Sequence, residues 1–496
     1  MYAHAQGEPE ARHPGLDLLE RAAIMIPTIN RRDFLTAVAA VGASVRGVSL
    51  QGPAWQAGVA TIDITPESSV WMAGFAARSQ PSQGTAMPLH AKALAVRCGS
   101  QPAAVLVTVD LLGVTARISD RVASRVQRGH QINRANLLFN ASHTHCGPVV
   151  DEQLSVAYDL SPEQWAATRG YTAQLEDKLV AVIGEALSRL RPARLLFAQD
   201  EAGFAANRRV KFTPNGPVDR GVPLLRVDAA DGTTVAVLFG YACHNTTLPA
   251  TFVKFHGDYA GVAQAALERR HPGMTALFVA GCGADANPTP RGTLEHVEAH
   301  GTALADAVDR GLKAAAQIDP SFRTAYGTVD LPFADAAARE RWRGQLDAAE
   351  VYLQRYEALM KKVIARDGRL PAMQPDPVQV WRFGPPGPPA RSGSAEGTTA
   401  ATPASNGAGG FTLVALGGEV VVDYALRLAR EYPDRRMWVA GYSNDVFGYV
   451  PSLRVLREGG YEGGDAMIYY GRPGPFTEQV EDLIVGEVRR LLGAAG

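Results

Sequence analysis

Asn136-Leu137-Leu138-Phe139-Asn140-Ala141-Ser142-His143-Thr144-His145-Cys146-Gly147-Pro148 is the stretch on which the reading of this chain turns. An apolar run leads straight into two histidines. The run reads as a buried strand, and residues two apart on extended chain point the same way, so the spacing predicts two imidazoles delivered together at the strand's carboxyl end. A metal, or a metal beside a catalytic base, is the simplest chemistry that wants this arrangement. Taken alone, a His-x-His pair fits structural histidines equally well.

Four further stretches follow the same plan. Leu238–Cys243 ends in His244-Asn245-Thr246-Thr247-Leu248-Pro249, and Ala276–Ala280 ends in Gly281-Cys282-Gly283-Ala284-Asp285-Ala286-Asn287-Pro288. Leu413–Leu416 ends in Gly417-Gly418-Glu419, and Met437–Gly441 runs into a loop carrying Asn444-Asp445-Val446-Phe447-Gly448-Tyr449. Apolar strands that stop at polar, mostly Gly-rich turns are how α/β sheets build sites at strand carboxyl ends. Helix-like stretches, Thr115–Arg128, Gln174–Leu190 and Gly261–Arg270, lie between the strands. The expected fold is therefore α/β: a mixed sheet or sheets covered by helices, with the site at the carboxyl ends of the strands.

With 496 residues, 46% of them hydrophobic, the chain can bury a large core in one or two domains. A net charge of −1 and a pI near 6.8 leave no basic footprint, which argues against a nucleic-acid partner. The four cysteines show no CxxC spacing. Cys146, Cys243 and Cys282 fall inside the site motifs and read as small buried hydrophobes, with a Cys282 nucleophile as the alternative.

The amino-terminal segment carries Asn30-Arg31-Arg32-Asp33-Phe34-Leu35, a twin-arginine pattern, before an Ala/Val-rich stretch from Leu35 to Val45 that is too short to span a bilayer. The expectation is twin-arginine export to the periplasm or beyond and no transmembrane segment. Residues 1–50 are then a signal region, disordered or cleaved, and residues 55–496 form one catalytic domain. Ala334–Arg366 reads as a charged helical insertion, a plain surface helix first of all, or else an arm that lies over the site or pairs with another subunit. The Pro/Gly/Ser-rich residues from about 385 to 410 read as a flexible loop. Oligomeric state is not legible.

These motifs resemble the neutral, non-lysosomal ceramidases, zinc amidases that cut N-acyl sphingosine into fatty acid and sphingosine. Gly58-Val59-Ala60-Thr61-Ile62-Asp63-Ile64-Thr65-Pro66 is similar to the family's opening strand, and Ser142–Pro148 is similar to its most specific signature. The resemblance implies a Zn²⁺ held by His143, His244, Glu419 and Tyr449. It implies that His145 is catalytic or orients substrate, and that Arg208, in Asn207-Arg208, helps hold the substrate carbonyl. Two imidazoles, a carboxylate and a phenolate oxygen make a chemically sensible zinc sphere.

The chain departs from the family at the nucleophile. Ceramidases carry an essential serine in a Gly-Asp-Val-Ser-Pro-Asn-like turn, whereas Asp285-Ala286-Asn287-Pro288 has asparagine there. A carboxamide cannot act as a nucleophilic hydroxyl. Asn287 is expected instead to donate to substrate or oxyanion, with metal-activated water attacking. The family's carboxyl-terminal immunoglobulin-like domain is also not expected in a chain that stops soon after Leu492. The resulting expectation is a zinc-dependent hydrolase acting on an amide of a small-molecule or lipid-like N-acyl substrate. A metal-dependent esterase or lactonase, and a non-catalytic exported metal-containing binding protein, remain open alternatives. His256 and Asp258 are candidates to orient a ligand histidine, or else simply cap their own loop.

Overall fold

The computed structural model describes residues 54–385 and 409–494. The expected signal region and most of the expected 385–410 loop lie outside the described residues. In chain order the strands are β1 (Trp55–Asp63), β2 (His90–Cys98), β3 (Ala104–Val109), β4 (Leu137–Ala141), β5 (Arg191–Glu201), β6 (Ala205–Asn207), β7 (Gly221–Ala229), β8 (Thr234–Tyr241) and β9 (Thr275–Ala280). They continue with β10 (Ala286–Pro288), β11 (Ala316–Gln317), β12 (Phe322–Pro332), β13 (Met373–Phe383), β14 (Phe411–Leu416), β15 (Glu419–Val420), β16 (Met437–Ala440) and β17 (Tyr449–Val450). The principal helices are α1 (Ala116–His130), α2 (Pro162–Ser188), α3 (Asp258–Arg270), α4 (Leu294–Ala314), α5 (Ala336–Gln345), α6 (Glu350–Asp367), α7 (Asp423–Glu431) and α8 (Val480–Ala494).

All five expected strands form, but they belong to two sheets. The first runs β4-β3-β2-β1-β5-β7-β8-β9, with β11 beside β5, and the second runs β12-β13-β14-β16. Both are mixed: β3–β4, β8–β9 and β14–β16 are parallel, and the remaining neighbours antiparallel. The continuous apolar runs exist because these strands are buried on both faces. Leu106, Leu138, Leu238 and Leu277 share a core with Leu413 and Trp438 of the second sheet. Alternate residues of the same strands turn the other way: Val107 and Phe139 pack with Val122 of α1 and Leu179 of α2, and Phe239 and Phe278 pack with Ala263 of α3 and Leu304 of α4. Val414 and Leu416 likewise meet Leu428 of α7 and Val488 of α8.

One side chain ties the edges together. Asn140, fully buried on β4, accepts from the Ala280 N–H of β9 at 2.8 Å and donates to the Gly441 carbonyl at 2.8 Å and to Ser443 Oγ at 3.1 Å. The segment after β16 then runs along β4, with Asn444 N–H on the Phe139 carbonyl at 2.9 Å and Ala141 N–H on that of Tyr442 at 3.2 Å. The carboxyl ends of strands from both sheets therefore open at one place.

The helical insertion is two helices, not one. The Asp335 side chain caps α5, the chain leaves helical geometry at residues 346–349, and α6 ends at Gly368 in the left-handed region (φ 75°). Nor is it a plain surface helix: Tyr356 and Met360 of α6 are buried against Val156 and Ile468. Among the described residues no helix is long and apolar enough to cross a membrane.

Asp376, on β13, is fully buried, and neither carboxyl oxygen has a formed hydrogen bond. Burial and the nearby Asp445 push its pKa well above the ordinary 3.8. The folded chain thus keeps a proton that the unfolded chain releases near pH 4. The stability this proton contributes is complete below that pH and is lost as pH rises, by about 1.4 kcal/mol per unit, until Asp376 itself ionises. Asp376→Asn should therefore reduce the fall in melting temperature between pH 5 and pH 8. An unchanged fall would mean that the carboxyl is already ionised in the folded chain.

Candidate metal centre

His143, His145 and His244 come together in the interior with ring nitrogens within 4.8 Å of one another. The two histidines of the 143–145 pair do not meet through strand alternation, as the sequence spacing suggested. β4 ends at Ala141, and His143 lies in the left-handed region (φ 62°), a conformation unusual for a non-glycine residue and one that marks functional sites. That turn, not an extended backbone, brings His145 Nε2 to 3.2 Å from His143 Nε2. Asn245 staples the two histidine loops: its amide donates to the Ser142 and Gly257 carbonyls and accepts from Ala260 N–H.

Backbone carbonyls fix two of the rings. His143 Nδ1 lies 2.6 Å from the Leu112 carbonyl and His244 Nδ1 lies 2.9 Å from that of Gly283. Each carbonyl takes the ring proton, so Nε2 carries the lone pair. Both Nε2 atoms then face the same Glu419 oxygen, Oε2, at 3.1 Å, and His244 Nε2 also lies 3.1 Å from the Tyr449 hydroxyl. Glu419 Oε2 has no donor at all, while Oε1 accepts from the Tyr470 hydroxyl. Two nitrogen lone pairs aimed at an unprotonated carboxylate oxygen, in an interior closed to water, repel unless a cation lies among them. A mixed nitrogen and oxygen donor set of this kind fits a borderline divalent cation such as zinc.

His145 differs from the other two. Its Nδ1 is buried with no partner, whereas metal-ligating histidines normally donate their second N–H to a carbonyl or carboxylate. Its ring packs against Phe75 at 4.7 Å. Gly74 beside it, at φ 97°, has no room for a side chain: a Cβ there would fall 2.4 Å from His145 Nδ1. Burial, then the neighbouring His143 and His244, hold the His145 pKa well below 6.5, and burial with Arg208 lowers that of His244 to about 4. Both imidazoles are neutral at pH 7.

Arg208 reaches the centre from the short β6–β10 ribbon. Its Nη2 donates to the Tyr449 hydroxyl at 2.9 Å and its Nε to Glu462 at 2.6 Å, and the guanidinium lies 5.6 Å from the Tyr449 ring centre and 5.7 Å from that of Tyr461. Arg208 N–H bonds to the Asp285 carbonyl and His244 N–H to that of Ala286, which sets the ribbon beside the His244 loop. Asn287 sits in the ribbon opposite Ala206, with its side-chain carbonyl accepting from Thr246 Oγ1 at 3.4 Å.

Residues 55–289 match the family described as neutral/alkaline non-lysosomal ceramidase, N-terminal. The fold is similar to the crystal structure of neutral ceramidase from Pseudomonas aeruginosa, with a TM-score of 0.65 and 19% identity over 89% of this chain and 75% of that one. It is similar also to a ceramidase complexed with C2, with a TM-score of 0.65 and 17% identity over 88% and 76% of the two chains. The chain is ceramidase-like. No curated protein sequence matches it.

In this ceramidase-like protein the matched segment carries His143, His145, Arg208, His244 and Asn287, whereas Glu419 and Tyr449 lie beyond it and join the centre through the second sheet and the β15–β17 pair. Two candidates from the sequence fall away. Cys282 is fully buried, its sulfur faces the Val439 carbonyl at 3.9 Å, and burial pushes the thiol well above its usual pKa, so it is a core residue and not a nucleophile. His256 and Asp258 cap their own turn: His256 Nδ1 accepts from Asp258 N–H and the Asp258 carboxylate from Leu248 and Tyr259 N–H, while carbonyls of other segments orient His143 and His244. Tyr470 and Glu462 had no sequence signal; each is a lone polar residue far from every motif.

Tyr470→Phe removes the donor on Glu419 without changing shape. Loss of such an outer partner typically weakens metal binding by about 10- to 100-fold. Chelator competition on wild type and variant should show a loss of that size. Equal affinities would mean that Tyr470 does not position Glu419.

Proposed function

We propose that the protein is a zinc-dependent amidohydrolase that cleaves the amide bond of an N-acyl lipid or related N-acyl compound with metal-activated water. The observation that carries this reading is the convergence of His143, His244 and Glu419 on one point, both Nε2 atoms lying 3.1 Å from Glu419 Oε2. His143, His244, Glu419 and Tyr449 would hold the ion. When bound, Zn²⁺ supplies a Lewis acid for a carbonyl oxygen and lowers the pKa of water.

The chain's own side chains do the rest. His145 turns its Nε2 to 3.2 Å from His143 Nε2, within reach of a water at the centre, which suits it to pass a proton from that water to the leaving amine. Arg208, held by Glu462 and Tyr449, keeps a fixed positive charge beside the centre for the developing oxyanion. The Asn287 amide is placed in the same ribbon and serves as a second donor. Asparagine at this position supplies no nucleophile, so the reaction proceeds without an acyl-enzyme.

Elemental analysis should find about one zinc per chain, and His143→Ala or His244→Ala should abolish tight binding and turnover in a screen of N-acyl amides. Full zinc occupancy in the double variant would refute the ligand assignment. Turnover of simple esters with none of amides would favour the esterase reading.

His145→Ala should keep its metal and lose about 10²- to 10⁴-fold in rate. Asn287→Ala should lose about 10²- to 10³-fold, the usual worth of one oxyanion donor. Hydroxylamine trapping followed by mass spectrometry should find no acylated residue. A trapped adduct on any side chain would overturn the direct attack by water.

A further inference from the structure

A groove of about 570 Å³ runs between the segment from Glu152 to Arg169 and the insertion helix α6, away from the four ligand side chains. That volume is in the range of ligand sites, roughly 300 to 1,000 Å³. Its apolar lining comes from Val156, Leu160 and Trp165 on one wall and Leu359 and Val363 on the other. Its charged lining is Arg169, Arg355, Lys362 and Arg366 against Glu152 and Asp159, an excess of two positive charges. Arg355 pairs with Asp159 at 2.9 Å and Arg366 with Asp367 at 2.8 Å. Arg169 and Lys362 have no ion pair among the described residues.

From this geometry we propose that the groove binds a single-chain amphiphilic anion, a long-chain carboxylate, with its alkyl chain along the apolar walls and its head between Arg169 and Lys362. Both walls carry apolar side chains, and each carries an exposed cation, Arg169 on one and Lys362 on the other. The excess of two positive charges favours an anionic head over a cationic or neutral one. The groove also touches the metal centre's support. The hydroxyl of Tyr158, on one wall, accepts from Gly74 N–H at 2.8 Å, and the Tyr352 hydroxyl of α6 donates to the Ala76 carbonyl at 3.2 Å. Phe75, between those two anchors, is the residue that packs on His145. An occupant that spaces the walls therefore acts on the loop that backs His145. The binding does not depend on the proposed amide hydrolysis, although the acid which that reaction releases belongs to the same class.

The test is calorimetric titration of the intact protein with sodium decanoate below its micellar concentration. One saturable site is expected, weakened at least about tenfold when Arg169→Glu is combined with Lys362→Glu, both on the exposed rim. A fluorescence change on decanoate binding that disappears in Trp165→Phe would place the chain on that wall. Dodecyltrimethylammonium, a cation of similar length, should not displace decanoate. Absent binding, or binding undiminished by the double charge reversal, overturns the proposal; the second result is what a carboxylate held at the metal centre would give. Turnover enters none of these readings, so failure here is separable from failure of the amidohydrolase reading.

Discussion

The buried amide of Asn140 is the contact on which the site depends. A sheet whose first and last strands are β4 and β9 has two raw edges, and each edge carries backbone groups that need partners. One carboxamide serves both, and reaches the segment after β16 as well. A hydrophobic residue of the same volume would fill the space but leave the Ala280 N–H unpaired in a dry interior, at a typical cost of about 1–3 kcal/mol. Ligands drawn from both sheets tolerate little sliding, because the Nε2-to-Oε2 distances are fixed at 3.1 Å from two independent directions.

Much of this was legible in the chain. Leu137–Ala141, Leu238–Tyr241, Ala276–Ala280, Phe411–Leu416 and Met437–Ala440 are apolar on both faces, so their burial and the polar turns that follow them could be read directly. Their division between two sheets could not, since pairing partners leave no local mark on strands that are buried all round. The start of α2 was read about twelve residues late, because Ser161-Pro162-Glu163-Gln164 is a capping box before a stretch of weak amphipathic pattern. The His143–His145 pair was found for a reason that proved incomplete: its spacing suggested an extended strand, and a left-handed turn does the work. The carbonyls of Leu112 and Gly283 escape sequence reading altogether, because every residue has one.

Asn287 lies in the β6–β10 ribbon beside the centre. Tyr442, Tyr449 and Tyr470 are packed around the centre, and the thiols next to the site motifs, Cys146, Cys243 and Cys282, are all buried with raised pKa values. Burial raises the pKa of these thiols and of the three tyrosines, which disfavours attack by their ionised forms. What the centre offers instead is fixed charge and fixed lone pairs, which favour an ion and the water beside it.

The order of the ligands along the chain has a consequence for how the protein is made. His143 and His244 emerge from the ribosome long before Glu419, and Tyr449 comes last, about 300 residues after the first histidine. Were an ion held by all four, its full coordination would wait for Tyr449, although His143, His145 and His244 already bring three imidazoles together from the earlier part of the chain.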